Sequence, residues 1–163
     1  MVFDALCRLY AFNQHYCHSL LSDVPEEKTA FQPSPGINTP AWILGHLAIC
    51  TDFAARILGG PIACPRDWHQ RFGPGSTPGA SAEPAPPMRE LVAAYDAGHE
   101  RVTSLLPGAD SAALAQPHNV DILSGTPIRT VGELLAHLMT THESMHLGQF
   151  SMWRRMMGHS PLF

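Results

Sequence analysis

Apolar side chains recur at mixed three- and four-residue steps in four long segments of the chain, the signature of helices that bury one face. The segments are separated by the stretches 23–40, 59–87 and 107–129, where the 13 Gly and 15 Pro are concentrated. The pattern predicts a first helix over 3–21, with Leu6, Leu9, Tyr10, Phe12, Tyr16, Leu20 and Leu21 on its apolar side. A second, over 40–58, opens on a strong start signal: Asn38 or Thr39 can cap free amides, and Pro40 occupies the first turn, where its missing N–H costs nothing. Gly59, Gly60 and Pro61 stop it. The third, over 88–106, presents Leu91, Val92, Tyr95, Val102, Leu105 and Leu106 and ends at Pro107-Gly108. Its mid-helix Gly98 costs about 1 kcal/mol relative to Ala, so tertiary packing must hold that turn. The fourth, over 130–158, begins with Thr130-Val131-Gly132-Glu133, a capping box. No alternating β-branched run is long enough for a sheet, although Val120 to Leu123 has the composition of a short extended piece.

These elements predict an all-α protein: one domain spanning residues 1–163, folded as a four-helix bundle whose long links cross the bundle. The stretch from Gly73 to Pro87 reads as a surface excursion, since neither side of it could fold alone. Fourteen acidic against ten basic residues give a formal charge of −4, and no Lys/Arg cluster could neutralise a row of phosphates, so nucleic acid is not an expected partner. Apolar stretches are interrupted well short of the roughly 20 residues of a membrane span, and MVFDALCRLY lacks the organisation of a signal peptide. Cys7, Cys17, Cys50 and Cys64 show no CxxC spacing, which argues for reduced thiols in a cytoplasmic protein.

Ten histidines in a weakly charged chain direct attention to imidazole chemistry. His142 and His146 are four apart, roughly 40° around and 6 Å along a helix, so both rings can converge on one ion. They fall on the seam Leu135, Leu138, Met139, His142, His146, Gln149, Phe150 and Trp153. In the second helix His46 shares the inward positions with Trp42, Ile49, Cys50 and Phe53. Three imidazoles on facing helices would leave coordination positions open for water or substrate, the arrangement of catalytic metal sites. His137, five residues before His142, lies about 140° away on a regular helix and is left outside the set.

The phrases NTPAWILGHLA (38–48) and THESMHLGQFSMWRRMMG (141–158) resemble the two signature regions of the DinB-like superfamily of four-helix proteins, the YfiT-type metal hydrolases and thiol-dependent transferases. His46 matches the histidine of that family's second helix, His142 and His146 match the pair of its last helix, and Gly148-Gln149 matches the GQ that follows. The resemblance implies a divalent ion, zinc or nickel, held by His46, His142 and His146. It also implies a hydrolase or thiol S-transferase acting on a small molecule, with a low-molecular-weight thiol as a candidate cosubstrate, and frequently a homodimer.

His142-Glu143-Ser144-Met145-His146 also spells HExxH, the zincin signature. A zincin needs a third ligand downstream; the sole candidate, His159, stands thirteen residues on without the metzincin glycine spacing, and the strand that would receive a peptide is missing. Peptidase activity is therefore set aside. Glu143 is retained as a second-layer or acid/base group and Gln149 as a group facing the cavity. Cys50 is read first as a small buried hydrophobe and second as a thiolate donor. His15 and His18 are assigned to a solvated face, and His69, His99, His118 and His159 to loops or exposed turns. Trp42 and Trp153 are expected to line or seal the cavity. Met145, Met152, Met156 and Met157 are read as core and dimer packing, and Met152, Trp153, Met156 and Met157, crowded at the end of the last helix, give it more apolar surface than one seam requires, which suggests a homodimer. Two function classes follow: a metal-dependent enzyme, in which three neutral imidazoles leave the ion doubly charged, and a non-catalytic metal-binding bundle that serves as a binding or stress-response module.

Overall fold

A computed structural model describes residues 2–79 and 84–163, so residues 80–83 of the expected 73–87 excursion lie outside the described residues. Four long elements form a bundle: α1 (Val2–Leu21), α2 (Pro40–Ile57), α4 (Met88–Leu105) and a final helix built from α6 (Val131–His137) and α7 (Glu143–Met156). Two short helices decorate the connections, α3 (Arg66–Arg71) and α5 (Ser111–Leu114), where the sequence suggested only loops. The expected extended piece at Val120 is instead a 3₁₀ turn, Asp121–Leu123. Among the described residues no helix is long and apolar enough to cross a membrane.

Helix α2 is the centre of the molecule. Thr39 Oγ1 accepts from the Trp42 amide and Pro40 fills the first turn, as the start signal implied. From Pro40 to Ile49 every residue is buried, because α2 packs on α4 along one side and on the final helix along the other. Helix α1 closes the ring between α4 and the final helix. The chain thus crosses the bundle diagonally at 22–39 and again at 106–130, which is why those connections are long. Where α4 crosses α2, a Cβ on Gly98 would stand 1.8 Å from Thr51 Oγ1, so the glycine that weakens the helix permits the two axes to approach.

The buried stripe of α1 is Tyr10, Asn13, Cys17 and Leu20, while Leu9 and Phe12, expected inside, are more than half exposed. Asn13 has a specific task. The final helix does not run as one α-helix: Leu138–His142 form a π turn, the i→i+5 pattern that inserts one extra residue and leaves carbonyls without their usual partners. Asn13 Nδ2 donates to the Thr140 carbonyl at 3.2 Å and lies 3.4 Å from that of Met139, and Thr140 Oγ1 donates to the Ala136 carbonyl at 2.7 Å. The expected helix over 130–158 is therefore two α-helical pieces joined by a turn whose carbonyls are satisfied from α1. The capping box at its start is present, with Thr130 Oγ1 and the Glu133 side chain bonded reciprocally to each other's amides.

Candidate metal centre

His46 is positioned by its neighbour. A Cβ on residue 45 would lie 2.6 Å from the Phe72 ring, so Gly45 lets that ring lie against α2. The Phe72 carbonyl, thus delivered, accepts from His46 Nδ1 at 2.7 Å, which fixes the tautomer and leaves the Nε2 lone pair free. Trp42 stacks over the same imidazole with ring centres 4.9 Å apart and planes within 6°. Burial lowers the His46 pKa, so the ring is neutral.

From the opposite wall, His142 Nε2 approaches His46 Nε2 to 3.3 Å. Cys50, one turn along α2, places Sγ 3.6 Å from the same His46 nitrogen, and the donor atoms of His46, Cys50 and His142 all lie within 4.8 Å of one another. Two nitrogens each about 2.0–2.1 Å from a tetrahedral ion are separated by roughly 3.3–3.4 Å, and a nitrogen and a thiolate sulfur by roughly 3.6 Å. The His/Cys/His group therefore has the dimensions of a metal site. The His146 ring stands beside it, 4.5 Å from the His46 ring centre and 4.7 Å from that of His142.

The electrostatics agree with the spacing. Burial is the main cause that lowers His142 to about 3, with His146, His46 and His137 adding to it. His146 falls to about 4, again chiefly through burial, against an opposing hydrogen bond to Gln149. At neutral pH the three imidazoles are a set of uncharged nitrogen donors held close together. His142 Nδ1 is buried without a hydrogen-bond partner among the described residues. Burial holds the Cys50 thiol up at about 12, so it is protonated in the free protein.

The family profile of the DinB superfamily matches residues 9–150, a span that runs from within α1 into α7 and contains His46, His142 and His146. The chain belongs to the DinB superfamily. A crystal structure of a conserved protein from Enterococcus faecalis superposes with a TM-score of 0.71 at 17% identity, over 96% of each chain, which shows the DinB bundle to be shared between the two as a fold. No curated protein matches the sequence.

The three histidines singled out from the sequence are thus neighbours in this DinB bundle, and the two other candidates, Gln149 and Glu143, hydrogen-bond around them. Gln149 Oε1 accepts from Asn38 Nδ2 at 2.9 Å and lies 3.2 Å from His146 Nδ1, so it orients a cluster ring and is itself tied to the start of α2. The Glu143 side chain turns into the core and is only 2% exposed. It receives His99 Nε2 at 2.7 Å, Asn13 Nδ2 at 3.2 Å and the Tyr95 hydroxyl. His99, expected on an exposed turn, is 3% exposed and stacked on Tyr10 with ring centres 3.6 Å apart. Its spacing from Leu91, Tyr95 and Val102 was the available signal, since all four share one face of α4.

His137 also departs from expectation. Its ring centre lies 5.6 Å from that of His142, because the π turn brings residues five apart onto one face. Phe53, expected inside, is 38% exposed. Trp153 is fully buried and bonds the Phe31 carbonyl at 2.8 Å, so it braces the core while Trp42 covers the cluster. Met145, Met152 and Met156 are exposed, not part of the core. His69 lies on α3, not in a loop, and His118 and His159 are engaged with the Ile128 carbonyl and Asp23.

Proposed function

We propose that this DinB-superfamily protein is a metal-dependent enzyme in which His46, His142 and His146 hold one divalent ion, zinc or nickel, and which acts on a small molecule as a hydrolase or thiol S-transferase. The observation that carries this reading is the 3.3 Å approach of two neutral imidazole nitrogens from facing helices. His46 keeps its Nε2 lone pair because its Nδ1–H donates to the Phe72 carbonyl, and Gln149 Oε1 does the same for His146 by accepting from its Nδ1–H. When bound, such an ion supplies Lewis acidity that makes a water or thiol at an open position more acidic. Trp42 shields one side of the cluster, and Glu143 keeps the turn bearing His142 anchored to α1 and α4 through Asn13, Tyr95 and His99.

Cys50 supports a second reading. Its thiol reaches the same His46 nitrogen, and three imidazoles plus one thiolate would close a four-coordinate shell of the structural type, leaving a non-catalytic binding or stress-response module. Turnover separates the two. The metal-loaded, untagged protein is to be screened with low-molecular-weight thiols and generic electrophiles, and with small ester and amide substrates. The enzyme reading expects activity that His46→Ala abolishes and Cys50→Ser retains; a metal lost on Cys50→Ser together with no turnover in the parent favours the closed site.

The same reading extends to a homodimer. Leu9 and Phe12 on α1 and Met145, Met152 and Met156 on α7 are exposed apolar side chains on adjacent helices. Sedimentation at micromolar concentration is expected to give a dimer, and a monomer would remove this part of the proposal.

A further inference from the structure

Along α2, His46, Cys50, Phe53 and Arg56 succeed one another at three- and four-residue steps, with Ile49 beside Cys50, so one stripe leads from the candidate metal centre toward the C-terminal end of the helix. A cavity of about 230 Å³ lies on this stripe, bounded by Ile49, Cys50, Phe53, Arg56, Ile62 and His69. It continues into an open cleft that shares Arg56, Ile62 and His69 and adds Arg66 and Gln70. The two spaces form one groove with Cys50 at its inner end. Cys50 is also the residue whose sulfur stands 3.6 Å from His46 Nε2, so the side chain that lines the inner end of the groove also touches the cluster.

The groove is graded in character. Its middle is apolar, and Phe53 and Ile62 are 38% and 51% exposed there, two large side chains that the fold leaves uncovered beside a concave surface. Its outer end is cationic. Arg56 and Arg66 are both exposed, and among the described residues neither takes part in an ion pair, in contrast to Arg89, Arg101 and Arg154. Of the nearby carboxylates, Asp52 is fully buried and spent on Arg101 Nη2 and on the amides of Ala63 and Cys64, with His69 Nε2 3.5 Å away. Among the described residues Asp67 is the one acid that lines the cleft, against two arginines. Arg56 lies six positions beyond Cys50 on the helix, about 9 Å of axial rise.

We infer that this groove selects the substrate: a small molecule with an apolar body and a terminal carboxylate, its apolar part against Phe53 and Ile62, its carboxylate at Arg56 and Arg66, and its reacting group toward Cys50 and the histidines. The assignment rests on the proposed enzyme reading and adds the substrate class. Guanidinium groups recognise carboxylates through paired, charge-assisted hydrogen bonds, and the apolar wall between them and the cluster penalises a substrate that is charged throughout.

The test uses the full chain freed of metal, so that it does not depend on turnover. Phenylbutanoate, phenylbutanamide and phenylbutylamine, which share one body and differ in end group, are titrated while amide and methyl resonances are followed by NMR. The carboxylate is expected to bind best, shifting Cys50, Phe53, Arg56 and Ile62 together. Arg56→Gln combined with Arg66→Gln, both exposed positions, is expected to weaken it roughly tenfold and to leave the amide unaffected. Equal affinity for carboxylate and amide, shifts confined to another face, or no binding of the carboxylate at millimolar concentration would each overturn the inference. A parent that binds the carboxylate in the groove but takes up no divalent ion would support the groove and remove the metal-enzyme reading on which its catalytic meaning depends.

Discussion

Asn13 on α1 donates to the carbonyl of Thr140, 127 positions away in sequence, at 3.2 Å. That bond reaches the π turn that sets His142 opposite His46, and the same amide also reaches the Glu143 carboxylate. Asn13→Leu keeps the volume and removes the donor, leaving buried acceptors unsatisfied. A loss of about 1–3 kcal/mol in urea unfolding is expected, with weaker metal uptake by the folded variant. Unchanged stability and affinity would show that the turn holds itself.

Gly98 yields a prediction whose sign differs from that of helix propensity. Alanine in mid-helix should stabilise by about 1 kcal/mol. Here its Cβ would meet Thr51 Oγ1 at 1.8 Å, and that hydroxyl is tied to the Ala48 carbonyl at 2.7 Å. Gly98→Ala is expected to lower stability by roughly 1–3 kcal/mol, and adding Thr51→Ala to recover much of it. Thermal unfolding of the single and double variants checks both.

Helix positions were legible in the sequence because each long helix carries its own local punctuation. The expected segments 40–58 and 88–106 are the helices Pro40–Ile57 and Met88–Leu105, bounded by the Pro and Gly signals that named them. The π turn was not legible. Its stabilising donor, Asn13, lies on another helix, so no local pattern announces it, and the assumption of a regular 3.6-residue repeat placed His137 on the wrong face. The same holds for Cys50 as a donor: periodicity gives the face of a helix but not which donor atoms meet within 4.8 Å. Glu143 was read from the HExxH spelling, whereas its carboxylate is claimed by Asn13, Tyr95 and His99, partners from two other helices.

The histidine cluster makes the metal-free protein acid-sensitive. In the unfolded chain these rings titrate near pH 6.5, and in the fold His142 and His146 are lowered to about 3 and about 4. Depressed values mean that the unfolded state binds protons first, so their contribution to stability is present above about pH 6.5 and is lost as the pH falls through that value toward the folded ones. Melting temperature is expected to drop steadily between about pH 7 and pH 4, and His142→Asn to flatten the drop. An identical profile for parent and variant would contradict the coupling.

The central claim is that His46, His142 and His146 together hold one divalent ion, and calorimetric titration of untagged, chelator-treated protein with zinc or nickel tests it most directly. One ion per chain is expected. Single His46→Ala, His142→Ala and His146→Ala variants should retain the helical circular dichroism of the parent, since the Leu, Trp and Tyr core does not depend on them, and should lose affinity by orders of magnitude. A parent that takes up no ion, or three variants that bind as tightly as the parent, would contradict the account.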